Sequence, residues 1–237
     1  MKKILLSLGA AFLLAAGAQA QVSYGVKGGL NLGKYAYKAP AGDEDDEEED
    51  GVKLNPSFYI TGYADIPVAP NFSIQPGISL QGKGQKVSLT GSEEIMGDTY
   101  AYSTKSTRNV MSVEIPVNAV YSIPVGPSGS VFLGAGPYAG FAISGKDKWD
   151  NKLTINGEAV TDDETGKGDE KLKFGSGDDK DMKAFEAGIN FLAGFKLANG
   201  FLINAGYGLG LTDLNPEKVD GYKVSNRVLS FGIGFQF

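Results

Sequence analysis

Eight stretches of this chain alternate apolar and polar residues with a period of two, and the apolar side of each is free of charge. In the first, Val22, Tyr24, Val26, Leu30 and Leu32 share one face, with Ser23, Lys27 and Asn31 on the other. Phe58, Ile60, Ala64 and Ile66 oppose Tyr59, Thr61, Tyr63 and Asp65, and Phe72, Ile74, Ile78 and Leu80 oppose Ser73, Gln75, Ser79, Gln81 and Lys83. The fourth sets Met111, Val113, Ile115, Val117, Ala119, Tyr121 and Ile123 against Ser112, Glu114, Asn118 and Ser122. The fifth sets Val131, Leu133, Ala135, Ala139, Phe141 and Ile143 against Gly134, Gly136, Tyr138, Gly140 and Ser144. Alternate positions from Phe185 to Leu197, from Phe201 to Leu211 and from Leu229 to Phe237 complete the set. This is the period of an extended strand, whose successive side chains point to opposite faces. The charges within these stretches, Lys27, Asp65, Lys83, Glu114, Glu186 and Lys196, all fall on the polar row.

The composition of the two rows selects the architecture. A soluble barrel fills its interior with large apolar groups and turns charge outward, whereas a membrane barrel is apolar outside and polar inside. Here the polar row is rich in Gly, Ser, Asn and Gln, and the other holds nearly all the large aliphatic and aromatic residues. A Lys or Arg facing lipid at mid-depth costs roughly 2–4 kcal/mol, which accounts for the clean row. The wetted outer faces of a β-sandwich would carry Lys, Glu and Thr, and these rows do not. Each stretch also reaches the ~9–11 residues that a tilted transmembrane strand requires. The expected fold is therefore all-β: an eight-stranded antiparallel up-and-down transmembrane β-barrel.

The connections follow the same plan. Those near Pro67 to Asn71, Pro124 to Ser130 and Ala198 to Gly200 are short. Those from Tyr35 to Pro56, Gly84 to Val110, Gly145 to Ala184 and Asp213 to Asn226 are long and charged. Short periplasmic turns alternating with long extracellular loops, with both termini on the periplasmic side, are the pattern of a bacterial outer-membrane barrel. Weak alternation in Lys86 to Thr90, Tyr100 to Ser103 and Leu153 to Asn156 suggests strands that continue above the membrane. Pro76, Pro116 and Pro137 lie mid-strand, where the missing N–H predicts bulges.

Residues 1–20 read as a secretory signal peptide: Lys2 and Lys3, an apolar run from Ile4 to Ala16, then Ala18-Gln19-Ala20 as the cleavage site. The run is too short to span a bilayer, which takes ~20 residues. The barrel domain is expected to occupy residues 21–237. The chain carries a formal net charge of −6; without Lys2 and Lys3 it has 20 basic and 28 acidic residues, and the unbroken run of eight acids Asp43 to Asp50 accounts for the difference. Such blocks are usually solvated, with weak divalent-cation binding as the sharper alternative.

Composition narrows the function. Of 237 residues none is His or Cys, which removes the usual general base, the commonest zinc ligand, the thiol nucleophile and any disulfide framework. No catalytic residue, cofactor or metal site is expected, so the protein reads as non-enzymatic, and the acidic balance argues against nucleic acid. The acids Asp162-Asp163-Glu164 and Asp178, Asp179 and Asp181 fall in connections, where nothing fixes their geometry as a site requires. Of the 34 glycines 14 fall on the inward row against 3 on the lipid row, and residues without side chains let a tightly curved sheet close around a crowded lumen.

Several short motifs carry a resemblance. Tyr24-Gly25-Val26-Lys27-Gly28-Gly29-Leu30-Asn31, Ser73-Ile74-Gln75-Pro76-Gly77 and Val113-Glu114-Ile115-Pro116 occur in this order. Gly134-Ala135-Gly136-Pro137-Tyr138 and Tyr207-Gly208-Leu209-Gly210-Leu211-Thr212 follow. Together they resemble the outer membrane protein β-barrel domain family, which includes PorT-like and porin-family proteins of the Gram-negative envelope. The sequence departs from that family at Gly206, before Tyr207, where such proteins often carry Arg. The terminal Gly232-Ile233-Gly234-Phe235-Gln236-Phe237 resembles the C-terminal signal read by the barrel-assembly machinery, with Phe235 and Phe237 as its aromatic residues.

An eight-stranded barrel is only just wide enough for its own side chains. The interior charges are therefore expected to pair with one another and fill the lumen. The leading expectation is an anchor in outer-membrane lipid whose long loops meet an extracellular or envelope partner. A narrow passive pore, or an accessory barrel of a protein-export machine, is the alternative.

Overall fold

A computed structural model describes residues 21–38, 51–161, 165–217 and 221–237. The expected signal peptide, the acidic run Asp43 to Asp50 and the triplet Asp162-Asp163-Glu164 lie outside the described residues. Within them the chain forms strands β1 (Ser23–Lys38), β2 (Val52–Ala69), β3 (Phe72–Ile95), β4 (Asp98–Pro124), β5 (Gly129–Ile155), β6 (Glu158–Val160), β7 (Gly166–Lys171), β8 (Phe185–Leu197), β9 (Phe201–Gly210) and β10 (Lys223–Gln236). All but β6 and β7 close a ring in the order β4-β3-β2-β1-β10-β9-β8-β5, with β5 pairing back to β4. Every pair in the ring is antiparallel. Closure leaves no free edge within the bilayer, where an unpaired N–H or C=O costs several kcal/mol. The fold is the eight-stranded up-and-down barrel that the alternation implies.

The two rows separate as the sequence demands. Ile60, Ile78, Ile115, Phe141 and Ile233 are each more than half exposed, a surface that only lipid would cover. The opposite row is turned inward and largely buried, including Asn31, Thr61, Ser79, Glu114 and Asn118. Inward aromatics lie over inward glycines on the paired strand: Tyr63 over Gly25, Tyr138 over Gly188 and Phe132 over Gly194. A Cβ added to any of these glycines would overlap the facing ring. At these positions the inward glycine is space taken by a neighbouring aromatic, a cross-strand pairing that also fixes register, whereas at Gly29 and Gly136 it lets the backbone of the paired strand approach.

The short turns at Pro70-Asn71, Val125 to Ser128 and Ala198 to Gly200 mark the periplasmic end. The two ends of the described barrel lie there, tied by Tyr24 N–H to Phe237 O at 3.1 Å and Phe237 N–H to Tyr24 O at 2.8 Å. At the other end β3, β4 and β5 run on far beyond the width of a bilayer. β4 and β5 have 27 residues each, roughly 90 Å along the strand. Two-residue turns close the hairpins of this outer sheet. Asn156-Gly157, with both residues at positive φ, joins β5 to β6 as the Asn-Gly signature predicts.

Three expectations are corrected. The connections Gly84 to Val110 and Gly145 to Ala184 are not open loops, because their residues belong largely to β3, β4, β5, β6 and β7. Water lies on both faces of a sheet above the membrane, so no clean apolar row marks those strands in the sequence. The prolines make no bulges. Register is kept across Pro76, Pro116 and Pro137, and the ladders simply skip pairs beside them, such as Gly77 with Pro116 and Val117 with Pro137. The β4–β5 bulge falls instead at Met111/Ser112, with Ile143 as the extra residue of β5. It carries Ser144, expected inward, to the outward side opposite Met111.

Candidate functional site

The inward row builds a lumen that can be followed from the periplasmic floor to the outer mouth. The floor is polar. Gln236 donates to Ser23 Oγ at 2.6 Å and to Asp65 Oδ2 at 3.0 Å, and its own carbonyl accepts from Lys196 Nζ at 3.1 Å. Gln75 holds the other Asp65 oxygen at 2.9 Å. Asp65 and Lys196 therefore meet through an amide of the last strand and not as a direct pair. Above them Tyr63, Val120, Phe132, Leu192 and Leu202 form a buried apolar layer across the barrel.

The next layer is polar and contains a cavity of about 70 Å³, lined among others by Lys27, Asn31, Thr61, Gln81, Asn118 and Asn204. Asn31 Nδ2 donates to Gln81 Oε1 at 2.7 Å and to the Gly82 carbonyl at 3.0 Å, and Thr61 and Ser79 hydroxyls meet at 2.6 Å. Asn31 and Asn118 each keep a buried carbonyl oxygen without a protein partner, which suits the cavity to ordered water more than to an apolar guest. Lys27 lies 5.6 Å from the centre of the Tyr63 ring, within cation–π range. Among the described residues it pairs with no carboxylate.

One strand turn higher sits the charged centre. Lys83 of β3 forms ion pairs with Glu114 of β4 and, at 3.0 Å, with Glu186 of β8, reaching across the lumen. Glu186 also accepts from Tyr138 Oη at 2.5 Å and from Asn226 Nδ2 at 2.8 Å. The Lys83 ammonium lies 4.8 Å from the Tyr138 ring centre. All three charges are less than a tenth exposed. A lone charge there would cost several kcal/mol, and mutual pairing with the hydrogen bonds of Tyr138 and Asn226 is what offsets it. Two carboxylates on one buried ammonium, with Lys83 and Glu114 at the wall of the polar cavity, make a strut between strands β3, β4 and β8.

The mouth is stoppered by segments that follow β7 and β9. Met182 and Leu214 join Tyr35, Val110 and Ala142 in a second buried cluster, against which Leu172, Phe174 and Val224 pack. Tyr35 Oη lies 3.9 Å from Met182 Sδ. The two segments are pinned together: Lys183 N–H to Leu214 O at 2.9 Å, Leu214 N–H to Val224 O at 2.8 Å, and Lys183 Nζ to Asp213 at 2.9 Å. Asp213 also accepts from the Asn215 and Val224 N–H groups, both at 3.1 Å. Partial burial pushes its carboxyl up, but these hydrogen bonds and the Lys183 charge outweigh that and hold it below its ordinary value. Beside the stopper, Arg108 grips Asp147 with two nitrogens.

All six interior charges of the sequence reading are on inward positions, but only Lys83, Glu114 and Glu186 are brought together as ion pairs. The alternation alone could not single out Gln236, Asn226 and Tyr138, which complete the networks as neutral members of the same row. The stopper residues Met182 and Leu214 lie outside the alternating stretches and left no period to read. Phe235 and Phe237 face outward, 44% and 69% exposed. Asp179 pairs with Lys180 and Asp181 caps the Lys173 N–H. Among the described residues no cluster of three metal-ligating side chains occurs.

Comparison with known proteins places this architecture. Ail, the attachment invasion locus protein of Yersinia pestis, is similar over 92% of this chain and 99% of its own, at 14% identity and TM-score 0.35. The same protein in complex with the heparin analogue sucrose octasulfate aligns over the same shares at 12% identity and TM-score 0.35. The outer membrane protein OprG from Pseudomonas aeruginosa aligns over 92% of this chain and 97% of its own, at 10% identity and TM-score 0.44. No curated protein matches the sequence. The family model for the outer membrane protein beta-barrel domain matches residues 17–215, most of the chain and every barrel strand but the last. The chain belongs to the outer membrane protein beta-barrel domain family.

Proposed function

We propose that this outer-membrane barrel is a non-enzymatic anchor whose lumen is a structural core and whose working surface is the sheet it raises above the membrane. The observation that carries the reading is a lumen packed with side chains apart from two small cavities of about 70 and 20 Å³. An apolar layer around Val120 and Phe132 closes it below, and the Met182–Leu214 stopper closes it above. The outer sheet supplies the surface for contact. On its inward-continuing side Tyr102 and Trp149 stand exposed beside Leu89, and Tyr and Trp are residue types enriched at protein interfaces. Export by the cleaved leader of residues 1–20 and recognition of Phe235 and Phe237 by the barrel-assembly machinery complete the proposal.

The second reading, a narrow passive pore or an accessory barrel of an export machine, has one observation in its favour. The 70 Å³ cavity and a smaller one of about 20 Å³ below it are both lined by Lys27, so a path would have to pass that side chain. Conductance of the folded protein in a planar bilayer separates the two. The anchor reading expects a silent membrane, and stable single-channel steps would overturn it.

A further inference from the structure

The lipid-facing row of β1 and β10 ends in charge. Leu32 pairs with Leu229, and the next outward pair on the same ladder is Lys34 with Arg227. A second like-charged pair, Lys38 with Lys223, closes the upper end of that ladder. On the neighbouring strands Lys53 pairs with Lys86. Lys86 follows Gln85, whose amide accepts from Tyr35 N–H and donates to Tyr37 Oη inside the mouth. Alternation therefore turns Lys86 outward, and its partner Lys53 with it.

Directly opposed residues on antiparallel strands sit ~4.5–5.5 Å apart at Cβ, and like charges there are destabilising. Three such pairs on four consecutive strands, β10, β1, β2 and β3, call for a counter-charge. Among the described residues none of the six forms an ion pair. Among the described residues Asp147, Asp150, Asp169 and Asp213 pair with other cations, in Arg108–Asp147, Lys146–Asp169, Lys167–Asp150 and Lys183–Asp213. The basic arc is also one-sided. Near the periplasmic turns the outward positions carry Phe72, Ile123, Leu197, Phe201 and Phe235 instead.

We propose that this arc binds the phosphate groups of anionic lipid headgroups in the outer leaflet. Its position selects that source of phosphate: the Lys34–Arg227 pair lies one outward step above lipid-facing leucines, at the depth where an acyl chain gives way to its headgroup. A phosphate seated between two cations converts each repulsive pair into a bridged one. The inference rests on the orientation with short turns in the periplasm, and lies outside the question of whether the lumen conducts.

The test is thermal unfolding of the full-length folded barrel in vesicles of phosphatidylcholine alone and of phosphatidylcholine with phosphatidylglycerol, followed by loss of the compact band on unheated gels. The wild-type midpoint is expected to rise by on the order of 5 °C with the anionic lipid, and the rise should vanish in about 1 M salt. A variant carrying Lys34→Gln, Lys53→Gln, Lys86→Gln and Arg227→Gln should lose the rise, while its midpoint in phosphatidylcholine stays level or increases as the repulsion disappears. Should it fail to fold, the pair Lys34→Gln with Arg227→Gln is expected to lose part of the rise, and the wild-type salt dependence stands by itself. An equal rise in the variant, no rise in the wild type, or a full rise in phosphatidylcholine on adding inorganic phosphate would each overturn the proposal.

Discussion

At the scale of single residues the lumen behaves as a protein core built from polar parts. Lys83 neutralises one of two buried carboxylates, so the two kinds of deletion differ. Glu114→Gln leaves the Lys83–Glu186 pair balanced, whereas Lys83→Met leaves two acids facing each other. The lysine variant is expected to lose about 3–5 kcal/mol and the glutamine variant distinctly less, as measured by urea unfolding in lipid vesicles. Equal losses would mean that the ammonium is not shared. Gly25 tests the crowding directly, because the atoms a Cβ would meet there all belong to the Tyr63 ring. Gly25→Ala should cost about 1–3 kcal/mol by overpacking, and most of that cost should disappear in a Tyr63→Ala background; a cost unchanged by Tyr63→Ala would refute the pairing. The inward side of Lys83, Glu114 and Glu186 was legible from alternation. Which of six charges meet was not, since partners such as Lys83 and Glu186 stand more than a hundred residues apart and alternation carries no information on height within the lumen.

At the scale of elements the strands divide at the membrane boundary. Below it the requirement for an uncharged lipid face leaves a strict period, and β8 and β9 can be read almost to the residue, whereas β1 and β10 run several residues further at their outer ends. Above it β3, β4 and β5 keep their hydrogen bonds but lose that constraint, so Gln85 to Ile95 and Asp98 to Val110 look like loops in the sequence. The β5 bulge at Ile143 has no sequence signal of its own, yet it shifts the phase that sets Asp147 opposite Arg108. The stopper is held in part by Asp213, whose folded-state carboxyl titrates below its ordinary value of 3.8. Its contribution is fully present above that value and is lost as pH falls through the lower, folded one. Hydrogen exchange at the Val224 and Leu214 amides, corrected for intrinsic rates, should therefore stay slow down to about pH 4 and accelerate below it. In Asp213→Asn the fast exchange should already be present at neutral pH, and full protection in that variant would show that the carboxylate does not hold the stopper.

At the scale of the whole molecule, one constraint runs from the residue rows to the function. A ring of eight strands has room only for side chains, and a row that excludes charge from mid-depth lipid sends the charges of the membrane span, Lys27, Asp65, Lys83, Glu114, Glu186 and Lys196, into that small space. The charges then require partners, glycines such as Gly25, Gly188 and Gly194 make room for aromatics, and the proposed result is a packed post with a sheet on its outer end. The natural absence of cysteine allows this to be tested at chosen positions. Ser79→Cys and Ser112→Cys place thiols in the lumen at sites no more than 4% exposed, and Lys105→Cys places one on the outer sheet. With the protein folded in vesicles, a charged water-soluble thiol reagent is expected to label Lys105→Cys rapidly and to leave both lumen thiols unmodified until the barrel is denatured. Labelling of Ser79→Cys and Ser112→Cys at rates matching Lys105→Cys would contradict the filled lumen and with it the anchor.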